Sequence, residues 1–348
     1  MRKSTARLIL FGKLVLGLVL LAFLVTRTDL HSLAERLYTL DLFYVVIVFV
    51  IPHLAIWLSS VKWQMLLKTL GVAVPIKRLL ALYMIGQFFN NFFPTMVGGD
   101  VVKAYQLGRE TGNAPSVVAA TFMERFVGLA ALVSLLPLVF FQDIVYATFP
   151  AFGLFVCFVM LGYLASLVLI FSNVGTRLPG INSRFHIARR LSIAVQKTRT
   201  QVHFFRHCGT VLFFSYFISV VFYFLTAAGS WAAVRSTGAE VDYSYLLAVV
   251  PTVLLAALLP VSINGLGITE AGYVIFLRLA GVPTVDAITM ALLLRFRVLF
   301  TAVLGGLIFM LYKPSTHGVS SPAESSGLRD PSLETSSAQR QTKAPADN

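Results

Sequence analysis

The third apolar run of this chain is interrupted where a membrane helix tolerates interruption least. Between Gln87 and Asp100 it carries Asn90, Asn91, Pro94, Gly98 and Gly99 inside an otherwise apolar stretch, and a second break from Pro260 to Glu270 holds Ser262, Asn264, Gly265 and Gly267. Hydrocarbon offers no hydrogen-bond partner to a broken backbone, so turns at membrane depth survive only where they are buried in protein or line a wet cavity. Two such breaks predict a transport pathway.

Composition supports that setting. With 57% hydrophobic and 12% charged residues over 348 positions, the chain has too little polar surface to cover a soluble core, and several apolar runs exceed the length of a bilayer span. A formal net charge of +13 would suggest nucleic acid in a soluble protein. Here the basic residues collect between the apolar runs, as the positive-inside bias requires, and no nucleic-acid partner is expected. Cys157 and Cys208 suggest neither a disulfide framework nor a thiolate metal site. Arg2, Lys3 and Arg7 precede the first run without a following cleavage pattern, so this run reads as an uncleaved span.

Apolar runs fall at 8–26, 42–61, 79–97, 117–141, 148–171, 209–230, 245–282 (broken) and 286–312. The basic N-terminus is assigned to the inside, and Lys62, Lys68, Lys77 and Arg78 mark the next inside loop. The segment 172–207 has seven arginines and lysines and no acidic residue, which makes it cytoplasmic. Three runs separate these two inside loops, so one must fail to cross, and 79–97 is the one with the polar break. The same parity in the second half makes 245–282 a dip and returns the C-terminus to the cytoplasm. The expected fold is all-α: a polytopic domain over 1–312 with about six crossing helices and two re-entrant helical hairpins arranged as an inverted repeat. Residues 313–348, rich in Ser, Thr, Pro and Gln, are expected to be disordered. Ile187, Leu191, Ala194, Val195, Val202 and Phe205 fall near one helical face, so 172–207 is either a plain basic loop or an interfacial helix.

The candidate substrate-binding residues are those that put polarity or charge into these runs. Glu124 and Arg125 lie inside a span, where each charge costs roughly 2.5 to 3.5 kcal/mol on insertion scales. Neighbours on a helix diverge by about 100°, so each needs a partner elsewhere, with Asp100 and Lys103 at hand. Arg295 and Arg297 sit near mid-span with Glu270 as the nearest counter-charge. For all of them two roles stand open: an interhelical pair, or a cavity-facing group meeting a lipid phosphate, which a guanidinium matches bidentately. Gly98, Gly99 and Asp100, and likewise Asn264, Gly265 and Gly267, each precede a helix whose free N–H groups could face an anion, the glycines allowing close backbone approach. Asn90, Asn91 and Ser262 complete the set, as head-group contacts or as turn residues. No catalytic residue, cofactor or metal ligand set is expected.

The stretch from Asn90 through Gly98, Gly99 and Asp100 to Glu124 and Arg125, with the stretch Pro260 to Glu270, resembles the flippase-like transmembrane domain of lysylphosphatidylglycerol synthases and its stand-alone relatives. The likeness covers roughly 8–312 in hydrophobic layout and is specific at these two motifs. It implies a plasma-membrane protein that moves a polar-headed lipid, aminoacylated or glycosylated and phosphate-bearing, between leaflets. Lys103 stands where such sequences usually have Arg, and only residues 314–348 follow the last run, so aminoacylation is not expected. The alternatives are a non-transporting scaffold or a lipid-head-group transferase.

Overall fold

The computed structural model describes residues 35–91, 93, 98–149, 151–171, 196–198, 200–259 and 262–313. The expected first span, Pro94, Pro260, most of the basic segment and the C-terminal tail lie outside the described residues. Among the described residues the regular elements are all helical: α1 (Leu42–Thr69), α2 (Ile76–Asn90), α3 (Gly98–Thr111), α4 (Ala114–Leu135, continued by a 3₁₀ turn to Phe141), α5 (Asp143–Thr148), α6 (Phe152–Phe171), α7 (Gly209–Ser236), α8 (Tyr243–Leu258), α9 (Ile268–Leu279) and α10 (Thr284–Leu311).

Five of these, α1, α4 with its continuation, α6, α7 and α10, are long and apolar enough to cross a bilayer. The chain is a polytopic all-α membrane protein. Helices α2, α3, α8 and α9 have 15, 14, 16 and 12 residues. At about 1.5 Å per residue none spans a hydrocarbon core of roughly 30 Å. They pack instead as two hairpins, α2 on α3 and α8 on α9. One feature of the sequence reading is corrected: Lys62 does not belong to a loop. Helix α1 runs on to Thr69, and Trp63, Leu66 and Leu67 continue its buried face, carrying Lys62 inward with only 7% exposure.

The two halves repeat one order of elements. Helices α1 and α7 each have 28 residues and end two positions before a left-handed glycine, Gly71 (φ +75°) and Gly238 (φ +79°). Each is followed by a hairpin, a second left-handed glycine (Gly112 or Gly281), and a long helix. The packing repeats with the order: α1–α2 with α7–α8, α3–α4 with α9–α10, and α2–α10 with α8–α4. Between the halves, α1 and α7 run antiparallel, since Asp41 N donates to Ser236 O at 2.9 Å, Tyr44 stacks edge-on against Trp231, and Lys62 reaches Ser219.

Two apolar cores sit at opposite ends of the long helices. One gathers Val48, Ala233, Leu246, Leu277 and Ile288, the other Trp63, Leu67, Ile85, Leu107 and Met123. Val202 and Phe205, the described part of the amphipathic face in 172–207, pack into the second core. A cavity opens between the two cores.

Candidate functional site

Helix α3 starts with Gly98 and Gly99, which leaves Asp100 in its first turn and Lys103 one turn later on the same face. Lys103 Nζ lies 3.0 Å from Asp100 Oδ1 and 2.9 Å from Glu124 Oε2, with the rings of Tyr83 and Trp63 at 3.7 and 4.7 Å. A fully buried ammonium is thus held between two carboxylates and two aromatic faces, which offset its desolvation. Arg125, one residue round the helix from Glu124, takes the other oxygen of Asp100. Its side chain keeps 49% exposure because it faces the cavity. Lys62 Nζ donates to Ser219 Oγ at 3.0 Å and to the Glu124 carbonyl at 3.3 Å.

The second hairpin builds a related pair. Gly267, at φ +80°, turns its N–H onto Glu270 Oε2 at 2.7 Å, and Thr269 Oγ1 donates to the same oxygen at 3.0 Å. Arg295 closes an ion pair with Glu270 and also donates to Thr269 Oγ1 at 3.0 Å. The Arg295 side chain is 10% exposed, so this pair is drier than that of Arg125. Arg297, two residues on, has no ion-pair or side-chain hydrogen-bond partner among the described residues. The hairpin tips meet where Asn264, held at φ +49°, donates from Nδ2 to Asn91 Oδ1 at 3.1 Å.

These groups surround one cavity of about 1030 Å³. Its wall includes Asn90, Asp100, Glu124, Arg125, Asn264, Glu270, Arg295 and Arg297, alongside apolar residues such as Ile51, Val118, Phe122, Leu254 and Val298. Lys103 lies directly behind Asp100 and Glu124. Asn91, Gly98, Gly99, Ser262, Gly265 and Gly267 do not form the wall. Arg109, at the exposed mouth, and Lys62 do, giving with Lys103 six cations against three carboxylates. Sequence reasoning passed over Lys62, Ser219, Tyr223, Thr269 and Tyr273, which also line it.

The glycine reading needs a correction. The Gly99 N–H is already taken by Asn90 Oδ1 at 2.7 Å, and a Cβ at Gly99 would overlap the Gly86 carbonyl oxygen. Gly99 is therefore small so that α3 can cross α2 backbone to backbone, and a methyl there is not tolerated. Gly267 spends its N–H on Glu270.

The chain has relatives among known membrane proteins. It is 22% identical over 293 residues to a UPF0104 membrane protein of Methanothermobacter thermautotrophicus, an overlap that covers 79% of this chain and 87% of that protein. Over a shorter stretch of 67 residues it is 33% identical to a UPF0104 membrane protein of Methanocaldococcus jannaschii, 19% of this chain and 20% of that one. Residues 10–306 match the family described as the lysylphosphatidylglycerol synthase TM region. That match takes in all ten helices almost to the end of α10, both hairpins and every charged residue of the cavity, so the chain belongs to the lysylphosphatidylglycerol synthase TM-region family.

Proposed function

We propose that this protein moves a phosphate-bearing lipid between the leaflets of the plasma membrane, its cavity taking the head group against the polar cluster and leaving the acyl chains along the apolar wall. The observation that carries this reading is Arg297, a guanidinium on the wall of a mid-span cavity with no carboxylate partner among the described residues. An unpaired arginine near the bilayer centre costs several kcal/mol in the absence of a counter-ion, and a lipid phosphate supplies one in bidentate geometry. Each wall carboxylate is already held by Lys103, Arg125 or Arg295. None is left to receive the ammonium of an aminoacyl group, which favours phosphate or glycosylated head groups. The antiparallel α1 and α7 support an inverted repeat with one hairpin entering from each side, the end of α10 lying toward the cytoplasm and the start of α1 toward the opposite side, and exchange between two cavity openings.

The test is leaflet exchange of fluorescent phosphatidylglycerol in proteoliposomes. The wild-type chain is expected to accelerate exchange, and Arg297→Gln to lose most of that rate while remaining folded. No acceleration by the folded wild type for any phosphate-bearing lipid would leave a scaffold as the better reading.

A further inference from the structure

Lys62 is the second interior cation of the cavity that makes no ion pair with a carboxylate among the described residues. Its side chain is more than nine-tenths buried, yet it lines the wall. Both of its hydrogen-bond acceptors among the described residues, Ser219 Oγ and the Glu124 carbonyl oxygen, are neutral. An ammonium has three donors, so one N–H remains after these two bonds. Gly128 keeps that face open. It lines the cavity, and a Cβ placed on it would sit 3.6 Å from Lys62 Nζ with no other atom within 4 Å.

The positions of Lys62 and Arg297 can be compared along α7, which passes both. Lys62 touches Ser219, while a Cβ on Gly229 would lie 3.9 Å from the Arg297 guanidinium. Ten residues of helix separate these markers, about 15 Å at 1.5 Å per residue. That is about half the thickness of a hydrocarbon core and too far for one phosphate to touch both cations.

We propose that Lys62 is a separate phosphate-binding station, so that a lipid head group occupies two successive positions along α7, one at Lys62 and one at Arg297. This rests on the phosphate-lipid reading above and adds a second site to it. Each station offers a monoanionic phosphodiester a cation that makes no ion pair among the described residues. The other interior arginines of the wall, Arg125 and Arg295, are paired with Asp100 and Glu270, so an anion moving between the stations meets no unpaired wall carboxylate.

The probe is dibutyl phosphate, a soluble phosphodiester small enough for two to enter the cavity, titrated calorimetrically into the full chain in dodecyl maltoside. Arg109, at the exposed mouth, is replaced by Gln in every protein compared. The reference is expected to bind two equivalents, Lys62→Met one, Arg297→Gln one, and the double variant none. Gly128→Val covers the ammonium without removing its charge and is expected to bind one, which keeps the test decisive if Lys62→Met misfolds. Unchanged stoichiometry in both Lys62→Met and Gly128→Val overturns the Lys62 station and leaves Arg297 standing. Unchanged stoichiometry in Arg297→Gln alone refutes the earlier reading of Arg297 and leaves the Lys62 station supported.

Discussion

Asp100 and Arg125 form an ion pair across twenty-five residues of chain, from the third position of α3 to the twelfth of α4. Glu270 and Arg295 repeat the relationship at the same spacing, from the third position of α9 to the twelfth of α10. The two pairs differ in their surroundings, and that difference can be measured. Removing one partner of a dry pair strands a charge and costs about 3–5 kcal/mol. Glu270→Gln is therefore expected to lower thermal stability in detergent by about 3 kcal/mol, since Arg295 is nearly buried. Asp100→Asn is expected to be milder because Arg125 is hydrated in the cavity and Lys103 retains Glu124. Equal losses would contradict the asymmetry.

The contact of α2 with α3 makes a sharper prediction about size. Gly99→Ala places a methyl against the Gly86 carbonyl oxygen, and backbone cannot yield as a side chain does, so a loss of about 1–3 kcal/mol or more is expected. Gly162→Ala, on α6 with nothing within 4 Å, is expected to leave the unfolding temperature unchanged or slightly raised.

At one end of the bundle Tyr312 donates to Glu110 at 3.0 Å and accepts from Arg78 Nε at 3.0 Å, and Arg78 also pairs with Glu110 at 2.9 Å, which ties together α2, α3 and the residue after α10. Burial pushes the Tyr312 phenol up from 10.0 to about 12. A phenol with a raised pKa in the folded state stabilises fully below the unfolded value and loses that contribution as pH rises through the folded one. Thermal stability is expected to fall between pH 10 and 12 in the wild type more steeply than in Tyr312→Phe. Parallel curves would remove Tyr312 from the cause.

Head-group charge gives a further expectation. With the wall carboxylates already paired, phosphatidylglycerol is expected to displace bound dibutyl phosphate at least tenfold more effectively than its lysylated form. Preference for the lysylated lipid would show that Glu124 or Glu270 exchanges its protein cation for the ligand.

Topology is open to labelling in a background lacking Cys157 and Cys208. A Cys at Thr111 is expected to react from the cytoplasmic side and one at Gln142 from the other. Reaction of both from one side would break the parity on which the hairpins rest.

The hairpins were legible because breaks in apolar runs have few physical meanings. The adjacent charges Glu124 and Arg125 were read as needing different partners, and they have them in Lys103 and Asp100. The choice between Arg295 and Arg297 was not legible from apolar pattern, since both fall within the same turn. The repeated twenty-five-residue interval from acid to arginine carries that information. Lys62 was missed because counting basic residues toward the inside absorbs a lysine at a helix's apparent end, although Trp63, Leu66 and Leu67 beyond it continue the buried face. Gly99 was misread because a close approach of backbone to ligand and of backbone to backbone require the same residue.

The hydrogen bond from Asn264 to Asn91 has a mechanical consequence. It joins the end of α2 to the turn before α9, one residue from each of the two hairpins. A bond of this kind contributes about 0.5–1.5 kcal/mol net, enough to bias the two segments toward this alignment and little enough to break at modest cost. Its strength thus lies between that of a lasting tie and that of no contact at all.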